Sequence, residues 1–160
     1  MKYLTVIRHA KTKNQQPGQR DFERALKKEG FKAARKLGEM LKKQGRMPDT
    51  VITSPARRAV ETTETVCAAA GIDYTIVSEE PLIYDNDLTG ILGMISGIPD
   101  DSAHAYIVGH NPSFSELVVE LCGPVIEGMK TGSAAGIEID VVSWKDIASG
   151  KGSLGFYITT

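Results

Sequence analysis

The sequence predicts an α/β protein: a three-layer α/β/α sandwich with a mostly parallel sheet and an antiparallel edge. Three observations carry that expectation. Short apolar, β-branched runs alternate with longer stretches of helical period over most of the chain. The first run, around Leu4-Thr5-Val6-Ile7, is nearly all apolar, as a central strand covered on both faces should be. From Pro124 the pattern changes to two alternating runs, Ala135–Val142 and Leu154–Thr160. These read as an antiparallel edge pair joined around Trp144 and Gly150-Lys151-Gly152. The 160 residues suffice for one domain, 1–160, with a core of its own.

Taken in order, residues 2–7 form the first strand, which stops at Arg8-His9. Residues 10–20 are polar, include Gln-Gln-Pro-Gly and read as an exposed loop. Leu26, Phe31, Ala34, Leu37, Met40 and Leu41 then recur near a 3.6-residue period. Gly30 breaks that pattern, so the helix is expected from about Lys27 or later to Lys43, with lysines on its solvated face and Gly45 as C-cap. Thr50–Thr53 is the second strand. Ser54 and Pro55 suit the N-cap and first turn of a helix that ends at Gly71. Tyr74–Val77 reads as a third strand, Glu79–Asp85 as a loop and Leu88–Ile95 as a short helix weakened by Gly90 and Gly93. Ala105–Val108 is the fourth strand, and Pro112 or Ser113 opens a helix that stops at Gly123. Right-handed crossovers bring the ends of strands one, two and four to one edge, where open α/β sheets hold ligands.

Bulk properties narrow the function classes. A net charge of −1 offers no global field to recruit nucleic acid or an anionic membrane, so any attraction for phosphate must be local. No apolar run approaches the ~20 residues needed to cross a bilayer. The first run meets Arg8 too soon to be a signal sequence, and a soluble cytoplasmic protein is expected. Cys67 and Cys122 lack metal spacing, make a disulfide framework improbable on sequence grounds, and read with Met40 as core residues.

The three strand ends carry the chemistry: Arg8-His9, Ser54-Pro55-Ala56-Arg57-Arg58 and Gly109-His110-Asn111-Pro112. Together they describe an anion site built around a histidine, with a phosphoryl group as the anion and His9 as the attacking group. An imidazole near its ordinary pKa of about 6.5 offers an unprotonated nitrogen at neutral pH, and attack splits one hard displacement into two. Arg8 is suited to bidentate phosphate binding, with an ion pair to Asp21 or Glu23 as its alternative. Arg57 and Arg58 open a helix, where cations oppose the dipole unless an anion sits nearby. Successive helix residues diverge by ~100°, and Arg57 has Glu61 at i+4, so Arg58 is the one expected in the site. His110 suits a donor to oxygens where charge grows, a core histidine bonded to backbone being the alternative. Arg24 fits the rim of the site or plain solvent, as does Lys11; His104, opening a strand, is expected to be exposed. A metal would need a third ligand, and Asp85 and Asp87 show no recognisable spacing for one.

Taken as a set and in this order, the motifs resemble the histidine phosphatase superfamily, which has the phosphoglycerate-mutase-like fold. The chain length and the segment Asp21-Phe22-Glu23-Arg24-Ala25-Leu26 before a helix are similar to its small phosphohistidine phosphatase branch. The resemblance implies His9 as nucleophile, Arg8, Arg58 and His110 as the catalytic phosphate pocket, Arg24 as a further substrate-binding residue, and no metal or organic cofactor. It implies a phosphatase working through a phosphohistidine at His9, on phosphohistidine in proteins. A small-molecule phosphomonoesterase or mutase is the alternative within enzymes, and a non-catalytic phosphoprotein-binding module the alternative outside them. The partner is then a phosphorylated protein or a small phosphorylated substrate, with no nucleic acid and no membrane. Ala10 stands where most of the superfamily has Gly. Relatives that act on phosphate esters carry a Glu or Asp after the third strand; Glu80, Asp85 and Asp87 lie nearby, in no motif that selects one. A phosphoramidate leaving group needs less help from an acid. Little sequence is left for a lid, so an open site that admits a side chain on a protein surface is expected.

Overall fold

The structure, a computed structural model, describes residues 1–85, 87–148 and 151–160. Its six strands are β1 (Lys2–Arg8), β2 (Thr50–Thr53), β3 (Val77–Glu79), β4 (His104–Gly109), β5 (Ala134–Ile139) and β6 (Gly152–Ile158). They form one sheet in the order β3-β2-β4-β1-β5-β6. The β3–β2, β2–β4 and β4–β1 pairs are parallel, whereas β1–β5 and β5–β6 are antiparallel, so the mostly parallel sheet with an antiparallel edge is present. The helices are α1 (Lys28–Gln44), α2 (Arg57–Ala70), α3 (Leu82–Asp85), α4 (Leu88–Ser96) and α5 (Ser113–Cys122). Alternation along β1 divides the core: Leu4 and Val6 pack with Ile91, Ile95, Leu117 and Leu121 of α4 and α5, and Ile7 packs with Leu37, Leu41, Ala59 and Val66 of α1 and α2. Those are the two outer layers.

Register fixes the site. Arg8 stands opposite Gly109 across the β1–β4 pair, and the His9 amide donates to the Gly109 carbonyl at 3.0 Å. Thr53 stands opposite Val108, and the Ser54 amide donates to the Val108 carbonyl at 2.9 Å. The residue after each of the three strands, His9, Ser54 and His110, is therefore delivered to one edge.

Several expectations need correction. Gly30 does not break α1; it is buried in the first turn because a side chain there would collide with the Lys11 carbonyl. Ser54 and Pro55 do not open α2, whose N-cap is Ala56. Tyr74–Ile76 is a 3-10 turn, nucleated by the Asp73 carboxylate accepting from the Thr75 amide, and the edge strand β3 follows it. Part of the expected loop at Glu79–Asp85 is the short helix α3. His104 is not exposed: it is buried between the rings of Tyr3 and Tyr106, and its Nε2 lies 2.9 Å from the Thr5 hydroxyl. The late strands end earlier than their runs of alternation. Trp144 does lie between them, fully buried, with its indole N–H donating to the Ser102 carbonyl at 2.8 Å. Gly150 lies outside the described residues.

The contact between α1 and α2 depends on Gly38, where a Cβ would lie 2.6 Å from the Val66 carbonyl and 2.8 Å from the Ala69 methyl. On an exposed helix, Gly→Ala stabilises by about 1 kcal/mol. Here the overpacking outweighs that gain, so Gly38→Ala should destabilise the protein by about 1–3 kcal/mol. Urea unfolding checks this; a raised midpoint would show that the helices separate freely.

Candidate active site

His9, the first residue past β1, is held by two backbone contacts and one ring contact. Its carbonyl accepts from the Gly132 amide at 3.0 Å, its amide is tied to Gly109, and Nδ1 lies 2.8 Å from the Ala10 carbonyl. A carbonyl can only accept, so Nδ1 carries the hydrogen and Nε2 keeps its lone pair. Ala10 is itself fixed, its amide donating to the Thr62 hydroxyl at 3.1 Å. Burial, together with the Arg58, Arg8 and Arg24 charges, pushes the His9 imidazolium down to about 4, against a smaller opposing effect of the Ala10 carbonyl. At neutral pH the ring is uncharged with a free Nε2.

His110 lies beside it, ring centroids 5.2 Å apart. Its Nε2 is 2.7 Å from the Ser54 hydroxyl, which accepts from the Ala56 amide at 3.2 Å and has its own hydrogen to donate to Nε2. Ser54 is thus recruited to orient His110 and closes a small turn before α2. His110 Nδ1 is buried with no hydrogen-bond partner among the described residues, as is Arg8 Nε. Buried donors of this kind are normally satisfied, so both are available to a ligand. Burial, then the neighbouring Arg58 charge, pushes the His110 imidazolium down to about 3.

The guanidinium groups are anchored differently. Arg8 donates from Nη1 to the Met129 carbonyl at 2.7 Å; neither Asp21 nor Glu23 pairs with it. The same carbonyl accepts from Asn111 Nδ2 at 3.0 Å, so the loop before β5 is tied to both strand ends. Arg58 is buried, whereas Arg57 is exposed and pairs with Glu61 at 2.9 Å, as the helical spacing requires. Arg58 donates to the Asp21 carbonyl and to its carboxylate, both at 2.9 Å. Arg24 is a rim residue with each guanidinium nitrogen committed, to the Lys13 carbonyl, the Asp21 carboxylate and the Thr12 hydroxyl. Lys11 is exposed.

Asp21 and Tyr84 join the site without having been singled out for it. The Tyr84 hydroxyl donates to Asp21 at 3.2 Å, and its ring stacks edge-on against His110 and Phe22. Burial alone would push the Asp21 carboxyl up. Hydrogen bonds from Arg24, Arg58 and Tyr84, with the Arg58 charge, outweigh that and hold it below the usual carboxylate range. An Asp21 that is ionised gives the paired arginines their counter-charge. Glu80 spends its carboxylate on the Leu82 amide at 3.1 Å, and Asp85 is exposed. Among the described residues, no three His, Cys, Asp or Glu side chains gather where they could hold a metal ion. An open cleft of about 660 Å³ adjoins the site, lined by Phe22, Arg20, Pro55 and Arg57.

Residues 4–83, half of the chain, match the histidine phosphatase superfamily, branch 1. No curated protein matches the sequence significantly. Among solved structures, the SixA phosphohistidine phosphatase candidate from Agrobacterium tumefaciens superposes with a TM-score of 0.85 at 23% identity, over 99% of this chain and 98% of its own. The SixA candidate from Nakamurella multipartitia gives 0.81 at 25% identity, over 98% and 95%. The protein histidine phosphatase SixA complexed with tungstate gives 0.83 at 21% identity, over 98% and 96%.

Three histidines with lowered values, His104 and His110 buried and His9 half-buried, have a consequence for stability. His9 and His104 are pushed down to about 4 and His110 to about 3, chiefly by burial, against about 6.5 in an unfolded chain. Below 6.5 the unfolded state takes up protons that the folded state refuses, so stability falls as pH drops from 6.5 towards 4. Urea midpoints should be level between pH 8 and 7 and decline through that window. A midpoint unchanged from pH 7 to pH 4 would contradict the burial of neutral rings.

Proposed function

The chain belongs to the histidine phosphatase superfamily, and from that premise we propose that it removes the phosphoryl group from phosphohistidine in proteins through a covalent intermediate at His9. The observation that carries this reading is the Nδ1 hydrogen bond of His9 to the Ala10 carbonyl, which leaves Nε2 as a bare nucleophile beside Arg8, Arg58 and His110. In the first step the Nε2 lone pair forms a bond to phosphorus as the phosphorus–nitrogen bond of the substrate breaks. The leaving imidazole takes the electron pair and departs neutral when its far nitrogen bears a proton. In the second step water attacks phosphorus, loses a proton to solvent and frees inorganic phosphate, restoring Nε2. Arg8 and Arg58 hold the transferring oxygens. His110, with Ser54 donating to Nε2, presents its Nδ1–H to the same group where charge accumulates. Arg24, at the rim with one N–H of each nitrogen bonded, adds its charge and its remaining N–H groups to the substrate-binding side of the site.

The choice of phosphoramidate over phosphate ester rests on proton supply. An alkoxide leaving group needs an acid at the breaking bond. The acidic group that meets the arginines is Asp21, which is ionised, and the Tyr84 hydroxyl is raised by burial and by its bond to Asp21. Neither is poised to give up a proton. Transfer from one imidazole to another exchanges like bonds and asks of the protein only position and charge. The free cysteines Cys67 and Cys122 suit a reducing compartment, and we place the reaction in the cytoplasm.

His9→Ala should lower phosphohistidine hydrolysis by at least about 10³-fold while leaving thermal unfolding little changed. Rapid quenching of the wild type should trap an acid-labile, base-stable phosphoenzyme that the variant lacks. Faster turnover of sugar or nucleotide phosphates than of a phosphohistidine peptide would favour the esterase reading. Tight phosphopeptide binding without phosphate release would favour a binding module.

A further inference from the structure

The charge of this chain is unevenly divided. Residues 1–58 contain 16 of the 19 Lys and Arg but only 5 of the 20 Asp and Glu. Much of that excess is collected on one helix face. At ~100° per residue, Lys28, Lys32, Lys36, Lys42 and Lys43 of α1 fall within an arc of ~120°. That arc lies opposite the buried face of Gly30, Ala34, Leu37, Gly38 and Leu41. All five lysines are exposed, and among the described residues none makes an ion pair. Glu39 is the one acid in the arc. Arg35 falls in the same arc and, with Glu39 and with Glu64 of α2, lines the cleft between α1 and α2.

The stripe begins at the catalytic centre. The Lys27 amide donates to the Lys11 carbonyl at 2.9 Å and the Lys13 amide to the Ala25 carbonyl at 2.9 Å. These bonds fasten the start of α1 to the segment that leaves His9, and add exposed Lys11, Lys13 and Lys27 to its upper end. From there the helix runs ~25 Å away. Helix energetics account for Lys42 and Lys43, which lie in the last turn where cations suit the dipole, but not for the upper end of the stripe. Lys27 and Lys28 sit at the N-terminus, where cations oppose the dipole, and Lys27 provides no side-chain cap.

We propose that this lysine stripe is a docking surface for an acidic protein face that carries the phosphohistidine served by His9. The proposal rests on the phosphatase reading and adds to it the charge of the substrate protein. Complementarity selects the occupant. The stripe is as long as one side of a compact domain, and residues 59–160 hold 15 acids and 3 bases. A polyanion or anionic surface reaching beyond α1 would meet Glu64 of α2 in the adjoining cleft, whereas an acidic patch bounded by the stripe would not. Such a surface acts through association rate and is screened by salt.

The test uses a helical bundle bearing one phosphohistidine in two versions, with an acidic surface around it or with those acids changed to Gln, and free phosphohistidine as a third substrate. At low ionic strength the wild type should show a kcat/KM at least about tenfold higher on the acidic bundle, and the preference should shrink at about 0.5 M salt. The triple variant Lys32→Glu, Lys36→Glu, Lys43→Glu should lose the preference yet match the wild type on free phosphohistidine. Gln at the same three positions should give a partial loss, with circular dichroism reporting that each variant folds. Equal kcat/KM on the two bundles, or a preference that survives charge reversal, would overturn the docking surface. So would stronger binding to phosphatidylserine vesicles or duplex DNA than to the acidic bundle. Failure of the wild type to release phosphate from any of the three would instead strike the phosphatase reading. The docking surface would then stand or fall on whether the wild type binds the acidic bundle better than the neutral one.

Discussion

A neutral imidazole held among guanidinium groups is the constraint around which this molecule is arranged. Two influences keep His9 uncharged: burial, which disfavours the imidazolium, and the arginine charges, which oppose it further. The Ala10 carbonyl then chooses which nitrogen carries the hydrogen. That choice depends on a backbone position, and the backbone position depends on β1 pairing with β4, on the Thr62 hydroxyl holding the Ala10 amide, and on Gly132 closing over the His9 carbonyl. The tautomer of His9 is in this sense a property of the sheet.

Concentrating cations near a partly buried site is costly unless something offsets the repulsion. Asp21 does so here, accepting from Arg58, Arg24 and Tyr84 at once. Its short helical turn lies between the exposed loop and α1, so the same segment that balances the charge sets the height of the rim. The Met129 carbonyl plays the corresponding part on the other side, joining Arg8 to Asn111. Between these anchors, Arg8 Nε and His110 Nδ1 are buried nitrogens with no partner among the described residues, which is the feature an oxyanion would complete.

What could be read from the sequence was what local patterning determines. The apolar β-branched runs at β1, β2 and β4 mark strands, and each gives way to a polar residue, His9, Ser54 or His110, so the site edge was legible from three short segments. The choice of Arg58 over Arg57 followed from helical spacing and Glu61. Other features depend on tertiary approach and left no local trace. Asp21 meets Arg58 across 37 residues, and Arg8 meets Met129 across 121. Ser54 looked like a helix cap because its chemistry fits one, but the helix starts later and the hydroxyl serves His110 instead. His104 was misjudged because position in a strand says little about burial: cross-strand Thr5 and the flanking tyrosines enclose it. The 3-10 turn before β3 did have a signal, Asp73 two residues before Thr75, which strand propensity in the same stretch masked.

The uneven charge and the open site belong together. A site beside an open cleft selects its substrate by what surrounds the reacting group, and the surface is basic along α1. The central claim, that His9 Nε2 attacks a phosphoryl group clasped by Arg8, Arg58 and His110, is tested most directly by a crystal structure with vanadate, a mimic of the five-coordinate transition state. The account predicts vanadium within bonding distance of His9 Nε2, with its equatorial oxygens on the two guanidinium groups and on His110 Nδ1. Vanadate bound elsewhere, or held in this site with Nε2 protonated and turned away from the metal, would contradict it.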